Sequence, residues 1–223
     1  MTTGSFLYPM LEDGERDPAA LLADLARSAE AKAVESAQLR STTLADRAQD
    51  LSRVAAAMAS AISAGGRLFS FGNGGSATDA AGLAALFASP AAGRAVPARS
   101  LVADTAVLTA LANDVGVEVV FARQLMAHAR AGDIAVGLST SGGSANVLRA
   151  FTEGRRRGML TVGLAGYSGG AMATCPELDY CLAVDGQSVH RTQEAQSALA
   201  YALWELVQDL LGKLTRLDSE ENL

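Results

Sequence analysis

The spacing of hydrophobic positions changes near residue 65. Before that point, apolar residues recur every three or four positions, as in Leu51, Val54 and Met58, which is typical of amphipathic helices. We predict helices over residues 18–39 and 44–63, after an irregular lead-in over residues 1–17.

Beyond residue 66, short apolar runs alternate with helical segments. The runs predict strands over residues 67–71, 98–103, 133–139, 159–166 and 178–184. The intervening patterns predict helices over residues 76–88, 105–112, 118–129, 144–156 and 190–214. Strands that alternate with helices indicate parallel pairing through right-handed crossovers. We therefore predict an α/β fold, a three-layer sandwich around a five-stranded parallel sheet, with additional N-terminal helices.

A glycine-rich loop, Gly72-Asn73-Gly74-Gly75-Ser76, follows the first predicted strand. Ligands of such sheets bind beyond the carboxyl ends of the strands. Glycines permit close backbone approach, and the amides at the start of the next helix favour an anion. The loop can equally be interpreted as an ordinary helix cap without a ligand, because Ser76 and Asp79 have the spacing of a capping box.

A second loop, after the third predicted strand, carries four hydroxyl groups, on Ser139, Thr140, Ser141 and Ser144. Four hydroxyls are more than a helix cap uses. A hydrogen bond to a charged group contributes roughly 1.5–3 kcal/mol, so several neutral donors can hold a phosphate without lysine. Neither loop has the lysine motif of a nucleotide P-loop or the G-x-G-x-x-G spacing. A phosphorylated small molecule is therefore favoured over ATP or NAD.

Composition and charge limit the possible classes. The chain has 223 residues, 49% of them hydrophobic, which is enough for one sizeable core. Its formal net charge is −6 and it has no basic stripe, so we expect no direct nucleic-acid binding. We expect no signal peptide, and we expect no membrane span because the apolar runs are too short. Two isolated cysteines, Cys175 and Cys181, suit a reducing compartment, and we expect a cytoplasmic protein.

Several sequence blocks occur together in a known family. "GNGGSATDA", "LTALANDVGVEVVFARQL", "GDIAVGLSTSGGSANVLRA", "GLAGYSGGAM" and "RTQEAQ" resemble SIS-domain proteins of the phosphoheptose isomerase group. Those enzymes convert sedoheptulose 7-phosphate to a heptose 7-phosphate. The resemblance covers roughly residues 35–215 and implies the five-stranded SIS fold and a homotetramer with packed N-terminal helices. We divide the chain into a lead-in and oligomerisation helix (1–40), a SIS domain (41–215) and an acidic tail (216–223).

The resemblance also implies roles for individual residues. The family's phosphate-binding serines match Ser76, Ser139, Ser141 and Ser144, and Asn73, Asp114, Thr140 and Gln193 match residues that face the sugar. We group Thr140 with the phosphate-binding hydroxyls and Gly74 with the sugar-binding loop.

The family's acid–base residues are not present at the matching positions. The resemblance implies a catalytic Glu and His, but Leu86 and Tyr201 stand there instead. Zinc, where the family has it, uses these two residues with a His at the position of Gly82 and a Gln, which is kept as Gln193. Another common family His is Gln196 here. Because zinc normally takes three or four N, S or O ligands, we expect no metal and no cofactor.

Three functional hypotheses stay open from the sequence. The first is a phosphosugar-binding sensor, scaffold or degenerate subunit without isomerase activity. The second is an active aldose–ketose isomerase with a different base, for which His190, three residues before Gln193, is the candidate. The third is an adaptor for an unknown protein partner, similar to the SIS protein that assists the bacterial replication initiator.

Overall fold

The computed structural model describes residues 18–221 of the chain. Its helices are α1 (Pro18–Asp46), α2 (Ala48–Ser63), α3 (Gly75–Ala88), α4 (Thr105–Asp114), α5 (Val120–His128), α6 (Ala145–Arg156) and α7 (Val189–Glu221). Its strands are β1 (Leu68–Gly72), β2 (Ala98–Ser100), β3 (Ile134–Ser139), β4 (Leu160–Ala165) and β5 (Tyr180–Ala183). Short 3-10 segments cover Val117–Val119 and Tyr167–Thr174.

The five strands form one parallel sheet in the order β2-β1-β3-β4-β5. Every residue of β1 and β3 is buried, as expected for parallel strands covered by helices on both faces. The predicted α/β sandwich with a five-stranded parallel sheet is confirmed.

The strand order places a topological switch between β1 and β3. From β1 the chain crosses to the edge strand β2 and then returns to the other side of β1 as β3. Gly72, at the end of β1, pairs with Leu138, next to the end of β3. The loops after β1 and β3 therefore leave the sheet side by side, at the position where open α/β sheets bind ligands.

Two hydrophobic cores lie on opposite faces of the sheet. On one face, α2, α3 and α7 pack through residues such as Met58, Phe87 and Leu203. On the other face, Phe71 lies 5.4 Å from Phe121 and 5.5 Å from Phe151 between ring centroids. Burial of side chains this large supplies most of the free energy that stabilises the sandwich.

Two predicted boundaries in the first half of the chain are wrong. α1 continues to Asp46, and the break falls at Arg47 rather than near residue 40. The polar run 41–43 contains neither proline nor glycine and does not stop the helix; Arg47 instead donates through Nε to the carbonyl of Ala183 at 2.9 Å. β2 ends at Ser100 rather than at residue 103, because the chain turns there and Ser100 Oγ accepts a hydrogen bond from Val102 N at 3.4 Å.

The chain divides into two units, residues 1–38 and 39–223. Within the described part of the first unit, Leu22, Leu25 and Val34 are exposed on α1; the predicted lead-in over residues 1–17 lies outside the described residues. In the second unit, α7 runs to Glu221, into the segment predicted as an acidic tail, and residues 222–223 lie outside the description. No helix in the described residues contains a stretch long and apolar enough to cross a membrane.

Candidate functional site

Three serine hydroxyls converge at the carboxyl end of β3. Ser139 Oγ lies 2.9 Å from Ser144 Oγ and 3.4 Å from Ser141 Oγ. Ser139 is buried, Ser144 is half-buried and Ser141 is exposed, so the group leads from the sheet edge to the surface. We call Ser139, Ser141 and Ser144 the serine cluster.

The serine cluster lies at the N-terminus of α6. Ser144 is the N-cap residue of α6, but its side chain does not cap the helix. The Ser144 hydroxyl therefore remains with the cluster, and the first amides of α6 have no partner within the helix. Gly143 N donates to Ser141 Oγ at 3.2 Å. Hydroxyls and helix amides together make a neutral cradle in which the helix dipole favours an anion.

A pair of side-chain amides joins the two loops. Asn73 Nδ2 donates to Asn146 Oδ1 at 2.8 Å, and Asn146 Nδ2 donates to Asn73 Oδ1 at 2.9 Å. Asn73 belongs to the loop after β1, and Asn146 lies in the first turn of α6. Sequence reasoning identified Asn73 and missed Asn146, although a buried polar residue two positions after Ser144 was a usable indication.

Ser76 lies inside the first turn of α3 and is buried. The N-cap of that helix is Gly74, which has a φ of 56° and makes no side-chain cap hydrogen bond. The capping-box interpretation of Ser76 and Asp79 is therefore wrong, because the N-cap is Gly74 and the helix begins two residues earlier than that motif requires. A Cβ on Gly72 would lie 2.6 Å from the Ser76 carbonyl oxygen and 3.0 Å from that of Leu138, so this close approach requires glycine.

Gln193 lies against the same loop. A Cβ on Gly75 would collide with the Gln193 side-chain amide. One turn further along both helices, Ser197 Oγ donates to Asp79 Oδ1 at 3.1 Å. From the Gly75–Gln193 contact to the Asp79–Ser197 contact, the chain advances by four residues in each helix. α3 and α7 therefore run side by side in the same direction.

Asp79 is the acidic residue between these two helices. Burial raises the pKa of its carboxyl, and the hydrogen bond from Ser197 offsets part of the rise. The Oδ2 atom is buried and has no hydrogen-bond partner among the described residues.

The segment Tyr167–Thr174 packs against the backbone of the loop that carries the serine cluster. A Cβ on Gly142 would collide with the carbonyl of Gly169, and one on Gly170 would collide with that of Ser141. Met172 N donates to the Gly142 carbonyl at 2.9 Å. The predicted site contains no residue of this segment, because backbone packing leaves little trace in a single sequence.

The same segment holds two non-glycine residues in the left-handed region. Tyr167 has a φ of 47° and Ser168 a φ of 59°, which costs of order 1 kcal/mol or more for each residue. Ser168 Oγ donates to Asp185 Oδ1 at 2.9 Å, and Ser168 N donates to the Val184 carbonyl at 3.3 Å. These bonds tie the strained turn to the end of β5, and just before the turn Gly166 lies against the carbonyl of Thr140.

Two predicted site residues stand apart from this group. His190 is exposed in the first turn of α7, one turn before Gln193. Asp114 is exposed at the end of α4 and accepts a hydrogen bond from Asn113 Nδ2 at 2.8 Å. In the described part of the chain, neither residue has a hydrogen bond to the serine cluster or to the amide pair.

A cleft of about 590 Å³ opens beside the amide pair. Gly74 and Thr78 form its α3 side, and Leu108 and Thr109 form its α4 side. Its floor includes Phe121 from α5. The cleft is therefore bounded by the same glycine loop that carries Asn73.

Comparison with known proteins decides the family. The sequence pattern of the SIS domain matches residues 33–166, more than half of the chain. The phosphoheptose isomerase of Roseiflexus sp. is 44% identical over 149 residues, covering 66% of this chain and 75% of that protein. The chain belongs to the SIS-domain family, in its phosphoheptose isomerase group. The phosphoheptose isomerase of Aquifex aeolicus is 37% identical over 179 residues, covering 79% and 93% of the two chains.

Solved structures of this group have the same fold as this SIS protein. The phosphoheptose isomerase of Neisseria gonorrhoeae superposes with a TM-score of 0.78 at 33% identity, over 83% of this chain and 99% of that one. The enzyme from Francisella tularensis has a TM-score of 0.78 at 26% identity, over 82% and 98%.

This SIS protein does not carry a donor set suited to zinc at the positions that the family resemblance implies. Gly82 has no side chain, and Leu86 is an apolar residue packed against the core. Tyr201 is exposed, with its ring 5.3 Å from that of Trp204. Of the zinc positions that the resemblance implies, only Gln193 offers a family ligand, and one amide oxygen falls short of the three or four ligands that zinc takes.

Gln196, which the resemblance places at another family histidine position, makes a hydrogen bond within the core. It is fully buried, and its Nε2 donates to the Leu164 carbonyl at 3.1 Å. In the described part of the chain, no group of three or more His, Cys, Asp or Glu side chains is arranged to hold a metal ion.

Proposed function

We propose that this chain binds a phosphorylated sugar, of the class of sedoheptulose 7-phosphate, without the standard isomerase acid–base pair. The observation that carries the proposal is the serine cluster, with Ser139 Oγ 2.9 Å from Ser144 Oγ and 3.4 Å from Ser141 Oγ. The relatives named as phosphoheptose isomerases support the phosphosugar class. The phosphate would be held by Ser76, Ser139, Thr140, Ser141 and Ser144, and Asn73, Gly74, Asp114 and Gln193 would face the sugar.

The proposed loss of catalysis follows from chemistry. Moving a carbonyl between neighbouring carbons requires a base that removes a proton and returns it. Leu86 has no group that can accept a proton, and the phenol of Tyr201 is a poorer general base than the imidazole of a histidine. The proposal includes the absence of zinc, a cytoplasmic location and a homotetramer, the last of which light scattering on the purified protein checks.

Calorimetric titration with sedoheptulose 7-phosphate tests the binding. Ser141→Ala is expected to weaken binding by about 1–3 kcal/mol, because a charge-assisted hydrogen bond is lost. Ser60→Ala, on the exposed face of α2, is the matched control and should leave the titration unchanged. Unphosphorylated sedoheptulose should not bind. An identical titration curve for Ser141→Ala and the parent would show that the serine cluster does not bind the phosphate.

The active-isomerase alternative is tested on the same sample. NMR should show no conversion of sedoheptulose 7-phosphate, alongside an active phosphoheptose isomerase as a positive control. Conversion by the parent that His190→Ala abolishes would establish the alternative instead. The adaptor alternative predicts partner binding that is insensitive to Ser141→Ala combined with Ser144→Ala, whereas a sugar-dependent sensor loses regulation in that double variant.

A further inference from the structure

The cleft beside the amide pair has the dimensions of a small-molecule site. Its volume is about 590 Å³, within the range of roughly 300–1,000 Å³ that such sites occupy. Asn73 and Asn146 both line it, and Ser144 of the serine cluster lies two residues before Asn146 in the same turn of α6. The proposed phosphate cradle and the cleft therefore share the start of one helix.

Beyond Asn73, Gly74 and Asn146, much of the cleft wall is apolar and does not suit a sugar. Val102, Leu108, Val117, Val120 and Phe121 contribute apolar surface. The two asparagine amides each already donate one hydrogen bond and accept one within their own pair. A polyhydroxylated ligand in this space would lose hydrogen bonds to water and find few replacements, which is costly.

α4 leaves apolar surface uncovered along this cleft. Its sequence, TAVLTALAND, is mostly apolar, yet none of its residues is fully buried. Val117, just beyond it, lines the cleft and is 61% exposed. An apolar group placed between α3 and α4 would cover this surface, and such burial is favourable.

We propose, on the basis of the proposed phosphosugar binding, that the ligand carries an apolar substituent that occupies this cleft. The ligand class is then a phosphorylated sugar that carries, in addition, an acyl or similar hydrocarbon group. The serine cluster holds the phosphate, and the wall formed by Leu108, Val117 and Phe121 takes the hydrocarbon.

A chain-length series tests the assignment. Titrations use glucosamine 6-phosphate acylated on nitrogen with acetyl, butanoyl or hexanoyl groups, together with sedoheptulose 7-phosphate and unphosphorylated N-hexanoylglucosamine. The expected affinity gain is about fourfold for each added methylene until the cleft is filled. Removal of the phosphate should abolish measurable binding of the hexanoyl compound.

Substitutions in the cleft wall test whether the increase in affinity with chain length arises in this cleft. Ala81→Phe, on its α3 wall, should remove the dependence on chain length and leave the affinity for the acetyl compound unchanged. Ala85→Phe, exposed one turn further along α3, is the matched control and should keep the full gain. Thr109→Phe narrows the same cleft from α4 and replaces Ala81→Phe if that variant does not fold.

Each outcome is decisive. A flat chain-length series in a parent that binds sedoheptulose 7-phosphate overturns this inference and leaves the proposed function standing. Failure of every phosphorylated compound to bind overturns both. A flat series together with a lower assembly mass in Ala81→Phe by light scattering would assign the cleft to a second copy of the chain, which also overturns the inference.

Discussion

Asn73 and Asn146 exchange two side-chain hydrogen bonds, of 2.8 and 2.9 Å, between loops that are 73 residues apart in the chain. Because each amide is both donor and acceptor, the pair fixes the orientation of both side chains. It joins the glycine loop after β1 to the first turn of α6, next to the serine cluster.

The first prediction concerns this amide pair. Asn73→Ala should destabilise the fold by about 1–3 kcal/mol, since the buried amide of Asn146 is then left without its partner. Asn146→Ala should cost less, because water reaches the exposed Asn73. In a double-mutant cycle by urea unfolding, the double variant should lose clearly less than the sum of the two single losses. Additive losses would show that the pair does not couple the loops.

The second prediction concerns Gly75, whose backbone lies against Gln193. Gly75→Ala should weaken phosphosugar binding and destabilise the fold, because its Cβ collides with the Gln193 amide. Gly75→Ala combined with Gln193→Ala should recover stability but not affinity.

Gly82→Ala is the control in the same helix. A Cβ there meets no atom within 4 Å, so alanine should raise the free energy of unfolding by up to about 1 kcal/mol. An equal free energy of unfolding for the parent and Gly75→Ala would contradict the expected collision between the added Cβ and the Gln193 side chain.

The third prediction concerns the buried Asp133. Burial alone would raise the pKa of its carboxyl, but hydrogen bonds from Arg67 and from the Arg130 and Arg67 amides hold it below the ordinary value. Arg67 Nη2 lies 2.7 Å from Asp133 Oδ2. Because the folded-state pKa is lowered, this contribution to stability is present above about pH 4 and is lost as the pH falls further.

The measurement is the free energy of unfolding as a function of pH. Asp133→Asn should cost about 1.5–3 kcal/mol at neutral pH, since the charge-assisted hydrogen bonds between Arg67 and the buried carboxylate are lost. The stability of this variant should fall less steeply below pH 4 than that of the parent. Asp209→Asn, at an exposed position, should behave as the parent does. A parallel acid slope in Asp133→Asn and the parent would contradict the assignment.

The fourth prediction concerns zinc. Elemental analysis of the dialysed protein should find no stoichiometric zinc, and EDTA should not change phosphosugar affinity, because positions 82, 86 and 201 are Gly, Leu and Tyr. Combining Gly82→His, Leu86→Glu and Tyr201→His should create zinc binding without isomerase activity, since the surrounding shell also shapes catalysis. One zinc per chain in the parent would refute this prediction.

Much of the fold was readable because its patterns are local. The alternation of apolar runs and helical segments predicted the five strands and the parallel sheet, since strands buried on both faces need continuous apolar residues. The helix break at Arg47 was not readable in this way. At the break, Arg47 Nε donates to the carbonyl of Ala183, a residue 136 positions away, and no local composition records that contact.

The sequence by itself determined which chemical groups are available: hydroxyls and glycines after β1 and β3, and no carboxylate or imidazole at positions 86 and 201. Only the tertiary structure decided which of them meet. The switch in strand order brought Asn146 to Asn73, the parallel packing of α3 and α7 set Gln193 against Gly75, and the segment Tyr167–Thr174 came to support the serine cluster. These contacts join residues far apart in the chain, and their geometry depends on how the whole sheet and its helices pack.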